Sequence, residues 1–119
     1  MATVKKRKLS GSTDGLGIKI AAIATAGTAL HTAVAGTTPG TYDEVWLWAY
    51  NSHNTSILLT LEFGGVNVPD NTIVINVPAV IGLIPIVPGF LLQNGKGIAA
   101  FASVANKIVI YGFVNTITD

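Results

Sequence analysis

Two long stretches of the chain carry apolar side chains at almost every position, so both faces of an extended strand would be apolar. Successive side chains of a strand point to opposite faces. In residues 43–51 one face carries Val45, Leu47 and Ala49, and the other carries Trp46, Trp48 and Tyr50. In residues 107–117 the two faces carry Ile108, Ile110 and Val114, and Val109, Tyr111 and Phe113. A two-layer sandwich buries only one face of each sheet. We therefore expect an N-terminal segment, a neighbouring subunit or a ligand to cover the second face.

The rest of the chain alternates between short apolar runs and turn residues. Gly, Asn, Asp and Pro supply the backbone angles of tight turns. The runs between them predict strands near residues 18–25, 28–34, 43–51, 56–63, 72–77, 83–87, 98–102 and 107–117, with a short extra strand near 90–92. No run has helical periodicity. About eight short strands at this spacing predict an all-β antiparallel sandwich, jelly-roll-like in its topology.

The composition indicates that much of the surface is covered by other protein. A chain of 119 residues is one domain by length. Half of the residues are hydrophobic and 11% are charged, against roughly 25% charged in ordinary soluble domains. The longest uncharged apolar stretch, residues 77–92, contains three prolines, which would break a membrane helix. We therefore expect no membrane partner and a homo-oligomer.

Four of the seven basic residues are consecutive near the N-terminus: Lys5, Lys6, Arg7 and Lys8. The rest of the chain has three scattered lysines and six acids. This asymmetry predicts a basic N-terminal arm over residues 1–12 and a β-sandwich domain over residues 13–119. The arm could be a solvated tail or could dock on an acidic neighbour. No basic face extends it, so we expect no nucleic-acid partner. No apolar run follows it directly, which argues against a secretory signal.

The residue types that carry most enzyme chemistry are sparse. There are no cysteines, which fits a reducing cytoplasm and excludes thiolate chemistry. His31 and His53 have no partner at ligand spacing, and they are expected to be a hydrogen-bonded core histidine and a solvated loop histidine. Asp43 and Glu44 are adjacent and would point apart on a strand. We therefore predict no catalytic residue, no metal, no cofactor and no enzymatic activity.

The aromatic side chains are the one constellation that could form a functional surface. Trp46, Trp48 and Tyr50 would line one face of a strand, and Tyr111 and Phe113 would line one face of another. Core packing is one interpretation. A subunit interface is another, because Trp and Tyr are enriched in interface cores. A platform for sugar rings is the third, although few polar residues accompany the aromatic ones.

Four segments together resemble the small capsid decoration, or cement, proteins of tailed bacteriophages and related virion proteins. They are residues 5–11 (KKRKLSG), 42–51 (YDEVWLWAYN), 61–65 (LEFGG) with the Pro69-Asp70 turn, and 110–115 (IYGFVN). The similarity covers most of the domain, and none of the segments is a diagnostic motif.

The resemblance implies a β-sandwich subunit, often trimeric, that clamps major capsid protein subunits on the outer shell of the virion. It would be made in the host cytoplasm. A head–tail connector, neck or tail protein is the first alternative, and a carbohydrate-binding module is the second. In the main interpretation the basic arm grips a neighbour, and the aromatic residues form the subunit interface.

Overall fold

Nine strands form two antiparallel sheets packed face to face in the computed structural model, which describes residues 2–119. The strands are β1 (Thr3–Lys8), β2 (Ile18–Lys19), β3 (Thr28–Thr32), β4 (Tyr42–Asn51), β5 (Ile57–Phe63), β6 (Thr72–Val77), β7 (Ile84–Leu92), β8 (Gly97–Ala102) and β9 (Ile108–Thr118). The first sheet has the order β1-β9-β4-β7, with β2 also paired to β9. The second has the order β3-β8-β5-β6. The predicted all-β sandwich is confirmed.

The strand pairing is that of a long hairpin rolled up on itself. The first two strands pair with β9, β3 pairs with β8, β4 with β7, and β5 with β6. Two further pairings, β4 with β9 and β5 with β8, close the two sheets. With β1 and β2 sharing one edge position beside β9, the strand orders of the five-stranded and four-stranded sheets are those of a jelly roll.

The core lies between the sheets and is built from the inward positions of each strand. The alternation read from the sequence of β4 and β9 is observed: Val45, Leu47 and Ala49 are fully buried, as are Ile108, Ile110 and Val114. The second sheet contributes Leu30, Ile57, Leu59, Leu61, Ile98, Ala100 and Ala102. Burying each large aliphatic side chain contributes about 1.5–3 kcal/mol to folding, so this layer holds the sheets together.

Two predicted strands differ from those observed. The strand expected over residues 18–25 ends at Lys19, because the Thr28 hydroxyl accepts hydrogen bonds from the Ala21 and Ala22 amides and turns the chain away. The break expected at Pro88-Gly89 is instead a register shift within the continuous strand β7. Gly89 has a φ of 83°, and a Cβ there would lie 2.8 Å from the Trp46 ring. Only glycine fits both conditions.

The basic segment is part of the sandwich. Residues 3–8 form β1, which pairs with residues 113–118 of β9 along its whole length. Leu9, directly after it, is buried in the core, and Ser12 is buried as well. Residues 3–9 and Ser12 of the predicted arm are thus part of the sandwich, whereas Met1 lies outside the described residues. All six side chains of β1 are exposed, so this edge strand needs no apolar residues, and its pattern gave no strand signal.

We expect Gly112→Ala to lower the free energy of unfolding by about 1–3 kcal/mol, the usual cost of overpacking. A Cβ at Gly112 would collide with the Trp46 carbonyl oxygen and lie 2.8 Å from a methyl group of Leu47. Gly97→Ala is the matched control in β8, where the nearest atom to the added carbon is 3.9 Å away. Urea denaturation should show a clear loss for the first variant and little change for the second. Equal losses would contradict this account of the β4–β9 contact.

Candidate functional site

An aromatic cluster lies on the outer surface of the first sheet. Trp46 and Trp48 of β4 and Phe113 of β9 stack with ring centroids 6.0–6.5 Å apart and planes 15–25° apart. Tyr50 and Tyr111 extend the cluster and are 36% and 41% exposed. We call these five residues the aromatic face. They share one surface because Trp46 pairs with Phe113, Trp48 with Tyr111 and Tyr50 with Val109 across the β4–β9 ladder.

Hydrogen bonds to Glu44 hold the end of the aromatic face where Trp46 lies. One carboxylate oxygen of Glu44 accepts hydrogen bonds from Trp46 Nε1 at 2.8 Å and from Asn115 Nδ2 at 2.9 Å. These two donors, Asn115 first, lower the pKa of Glu44 below its ordinary value. The ionised carboxylate thus holds the Trp46 indole in one orientation, so the cluster is a fixed surface.

The structure decides one of the three interpretations of the aromatic residues, namely core packing. The core is made by the opposite face of β4, so the aromatic face is a surface feature. Trp46, Trp48 and Phe113 form a close cluster of near-parallel rings. The polar groups beside it, Glu44 and Asn115, are hydrogen-bonded to each other, and Glu44 also to Trp46, so few polar groups are free to orient sugar hydroxyls. Large aromatic groups with limited exposure, held in place by hydrogen bonds, are typical of the centre of a protein–protein interface.

The four consecutive basic residues do not form one patch. By the β1–β9 register, Lys6 lies opposite Asn115 and Lys8 opposite Phe113, so both share the surface of the aromatic face. The Lys6 ammonium lies 4.7 Å from the centre of the Phe113 ring, a distance at which cation–π attraction operates. Lys5 and Arg7 belong to the opposite side of the strand, and Arg7 lines a separate cleft.

That cleft has a volume of about 540 Å³ and lies at the edge where the two sheets meet. Its lining residues are Arg7, Lys8, Ser10, His31, Thr32, Val34, Asp43 and Thr116. At its base the buried His31 Nε2 lies 2.7 Å from Asp43 Oδ2. Asp43 also accepts hydrogen bonds from the Thr116 hydroxyl and the Val34 amide. Nothing in the sequence indicated that Asp43 lies next to His31.

The Ser10, His31 and Asp43 group does not have the geometry of a catalytic triad. The Ser10 backbone amide donates to His31 Nδ1 at 2.9 Å, which assigns the ring proton to Nε2, facing Asp43. The Ser10 hydroxyl instead accepts a hydrogen bond from the Thr32 amide at 2.8 Å. A nucleophilic serine needs its hydroxyl on the histidine. Here the imidazole joins β3 to Ser10, after β1, on one side and to Asp43 of β4 on the other, so the expected core histidine is found.

The remaining polar candidates have structural contacts. Glu62, buried in β5, accepts hydrogen bonds from the Thr25 hydroxyl and the Gly27 amide, and so fastens the 20–27 loop. His53 lies in the β4–β5 turn, half-buried, where its backbone amide donates to Asn51. Among residues 2–119, no group of three or more His, Cys, Asp or Glu side chains could hold a metal ion.

Comparisons with protein-family models, with curated proteins and with solved structures give no match to this chain. In the part of the chain that the structure describes, no helix is long and apolar enough to cross a membrane.

We expect His31→Ala to lower the free energy of unfolding by about 1–3 kcal/mol, because the buried Asp43 carboxylate and the Ser10 amide each lose a hydrogen-bond partner. His53→Ala is the matched control: it keeps the backbone contact to Asn51 and should change stability by less than about 0.5 kcal/mol. Thermal and urea unfolding of both variants provide the measurement. A His31→Ala variant as stable as the wild type would refute the role given to this network.

Proposed function

We propose that this chain is a non-enzymatic structural protein of a bacteriophage virion, a decoration or cement protein that binds major capsid protein subunits on the outer shell. The observation that carries the proposal is the aromatic face, which the sandwich leaves on its surface. A domain with 11% charged residues and such a surface has the character of a subunit whose surface is partly covered by other proteins in an assembly. A position at the neck or tail is the alternative within the same class.

A second apolar surface supports self-association. At the edge strands β6 and β7, Ile73 and Phe90 face the core side of their sheets, opposite Leu61 and Val45, yet are 38% and 47% exposed. Their neighbours Val74 and Leu91 are exposed on the outer faces of the same strands, so these four side chains form an apolar margin along β6 and β7. We call this the open side. Strand β6 is an edge strand with the sequence TIVINV, without a charge or a proline. Uncharged apolar edge strands invite pairing with another chain unless they are covered. We infer that copies of this chain meet at the open side, in a trimer as the resemblance implies.

The position of the protein in purified particles tests the proposed function. We expect mass spectrometry of phage particles from producing cells to detect the chain at many copies per particle. Electron cryo-microscopy should then place it on the outer shell. Density confined to the neck or tail would favour the alternative. Absence of the chain from infectious particles would refute a virion role altogether.

We expect Val74→Lys to weaken self-association at least tenfold, because it places a charge on the outer face of the edge strand β6 of the open side, where Val74 is 62% exposed. Leu16→Lys is the control: Leu16 is similarly exposed but lies in the loop before β2, on the opposite side of the sandwich. Multi-angle light scattering over a concentration series should give a closed oligomer for the wild type and the control, and smaller species for Val74→Lys. A wild-type protein that remains monomeric at micromolar concentration would contradict the inference.

A further inference from the structure

Strand alternation sorts the basic residues of β1 onto two different surfaces. Lys6 and Lys8 lie beside the aromatic face, whereas Lys5 and Arg7 lie on the other side of the strand. Strand β2 adds a third cation to the first surface. Its Ile18 is buried opposite Ile110, so the exposed Lys19, opposite Val109, belongs to the outer surface. Val109 in turn pairs with Tyr50. One edge of the aromatic face is therefore bordered by three lysines. One of them, Lys8, also lines the cleft, and its ammonium donates to the Ser12 carbonyl oxygen at 3.3 Å.

These border lysines have no acidic partner within the chain. The one salt bridge among residues 2–119 joins His31 and Asp43. Of the acids, Asp43 and Glu62 are buried, and Glu44 is engaged by Trp46 and Asn115. The other three acids, Asp14, Asp70 and Asp119, lie outside the strands. The chain thus offers no acidic patch that could match the lysines, so a second copy is a poor occupant of this surface.

The chemistry of the surface selects an acidic polypeptide rather than a nucleic acid. A single strand needs a basic groove along its backbone as well as aromatic platforms, whereas the cations beside the aromatic face lie along one edge only, on β1 and β2. A protein segment needs only apolar contact with the cluster and carboxylates near the lysines. Lys6, already above the Phe113 ring, can contact both the ring and an incoming carboxylate.

We propose that the aromatic face and its border lysines Lys6, Lys8 and Lys19 form a docking site for an acidic segment of a partner protein, one that carries aromatic or apolar residues among its carboxylates. The proposal rests on the proposed function in one respect, namely that the chain is a subunit of an assembly with other proteins. Attraction between the lysines and the carboxylates sets the orientation of the segment, and burial of the aromatic cluster supplies most of the affinity.

The protein carries its own reporter for this site. It has two tryptophans, Trp46 and Trp48, and both belong to the aromatic face. The probe is a random copolymer of glutamate and tyrosine, with a lysine–tyrosine copolymer as the charge-reversed control and oligo(dT) as the nucleic-acid comparison. We expect the acidic copolymer to change tryptophan emission saturably and the lysine copolymer not to. Raising the salt from 0.05 to about 0.5 M should weaken binding, because screening shortens the reach of the charges.

Matched variants locate the site. Lys6→Gln with Lys19→Gln removes two cations from the border, and Lys5→Gln with Lys96→Gln removes two exposed cations from elsewhere. We expect the first pair to reduce affinity for the acidic copolymer at least fivefold and the second pair less than twofold, with equal urea midpoints for both. Equal losses would show a net-charge effect and overturn the proposal. It would also be overturned if the wild type failed to bind the acidic copolymer, or if oligo(dT) bound more tightly.

These outcomes are independent of the particle experiment. Copolymer binding without the chain in particles would leave the docking site standing and remove the virion role. If the chain were found on capsids but did not bind the copolymer, the virion role would stand and the docking site would be refuted.

Discussion

The pairing of β4 with β9 is the contact on which the rest of the structure depends. All ten residues of β4, from Tyr42 to Asn51, pair with Ile117 to Ile108 of β9 without a shift in register. Because side chains alternate with a period of two, this register sets both surfaces of the sheet at once. A slip of one residue would turn Trp46 and Trp48 into the core and expose Leu47. The aromatic face and the hydrophobic core are thus two consequences of one alignment.

Buried polar groups join the sheets where the apolar layer ends. Asp43 points inward from β4 and receives hydrogen bonds from His31 of β3, the Val34 amide and Thr116 of β9, so it links both sheets. Glu62 fastens the 20–27 loop to the second sheet through Thr25 and Gly27. Among residues 2–119, no buried side-chain nitrogen or oxygen lacks a hydrogen-bond partner. An unpaired buried polar group would cost about 1–3 kcal/mol. An arrangement of the sheet ends that broke these hydrogen bonds would therefore be less stable.

The edges of the sheets are treated differently, and the difference bears on assembly. Strand β1 closes one edge of the first sheet with lysines and an arginine, and β7 closes the other with Pro85 and Pro88, which offer no amide hydrogen. Both devices discourage further strand pairing. The edge strands of the second sheet, β3 and β6, have no lysine, arginine or proline, and β6 is the more apolar of the two. Self-association through the open side and docking of an acidic segment on the aromatic face would therefore use separate surfaces, so one contact need not exclude the other.

The sequence by itself determined the all-β class, the jelly-roll type of sandwich, most strand positions and the two-faced character of β4 and β9. These are local properties, written in the spacing of apolar and turn residues. Which apolar face is core was decided only by the tertiary structure, because both faces of β4 are hydrophobic and only packing against the second sheet distinguishes them. The His31–Asp43 contact joins residues on different sheets, and no periodicity encodes it. The basic run was interpreted as an arm because four consecutive charged residues lack the apolar alternation that predicts a strand. Its pairing with β9, which divides the lysines between two surfaces, comes from backbone hydrogen bonds that are independent of side-chain identity.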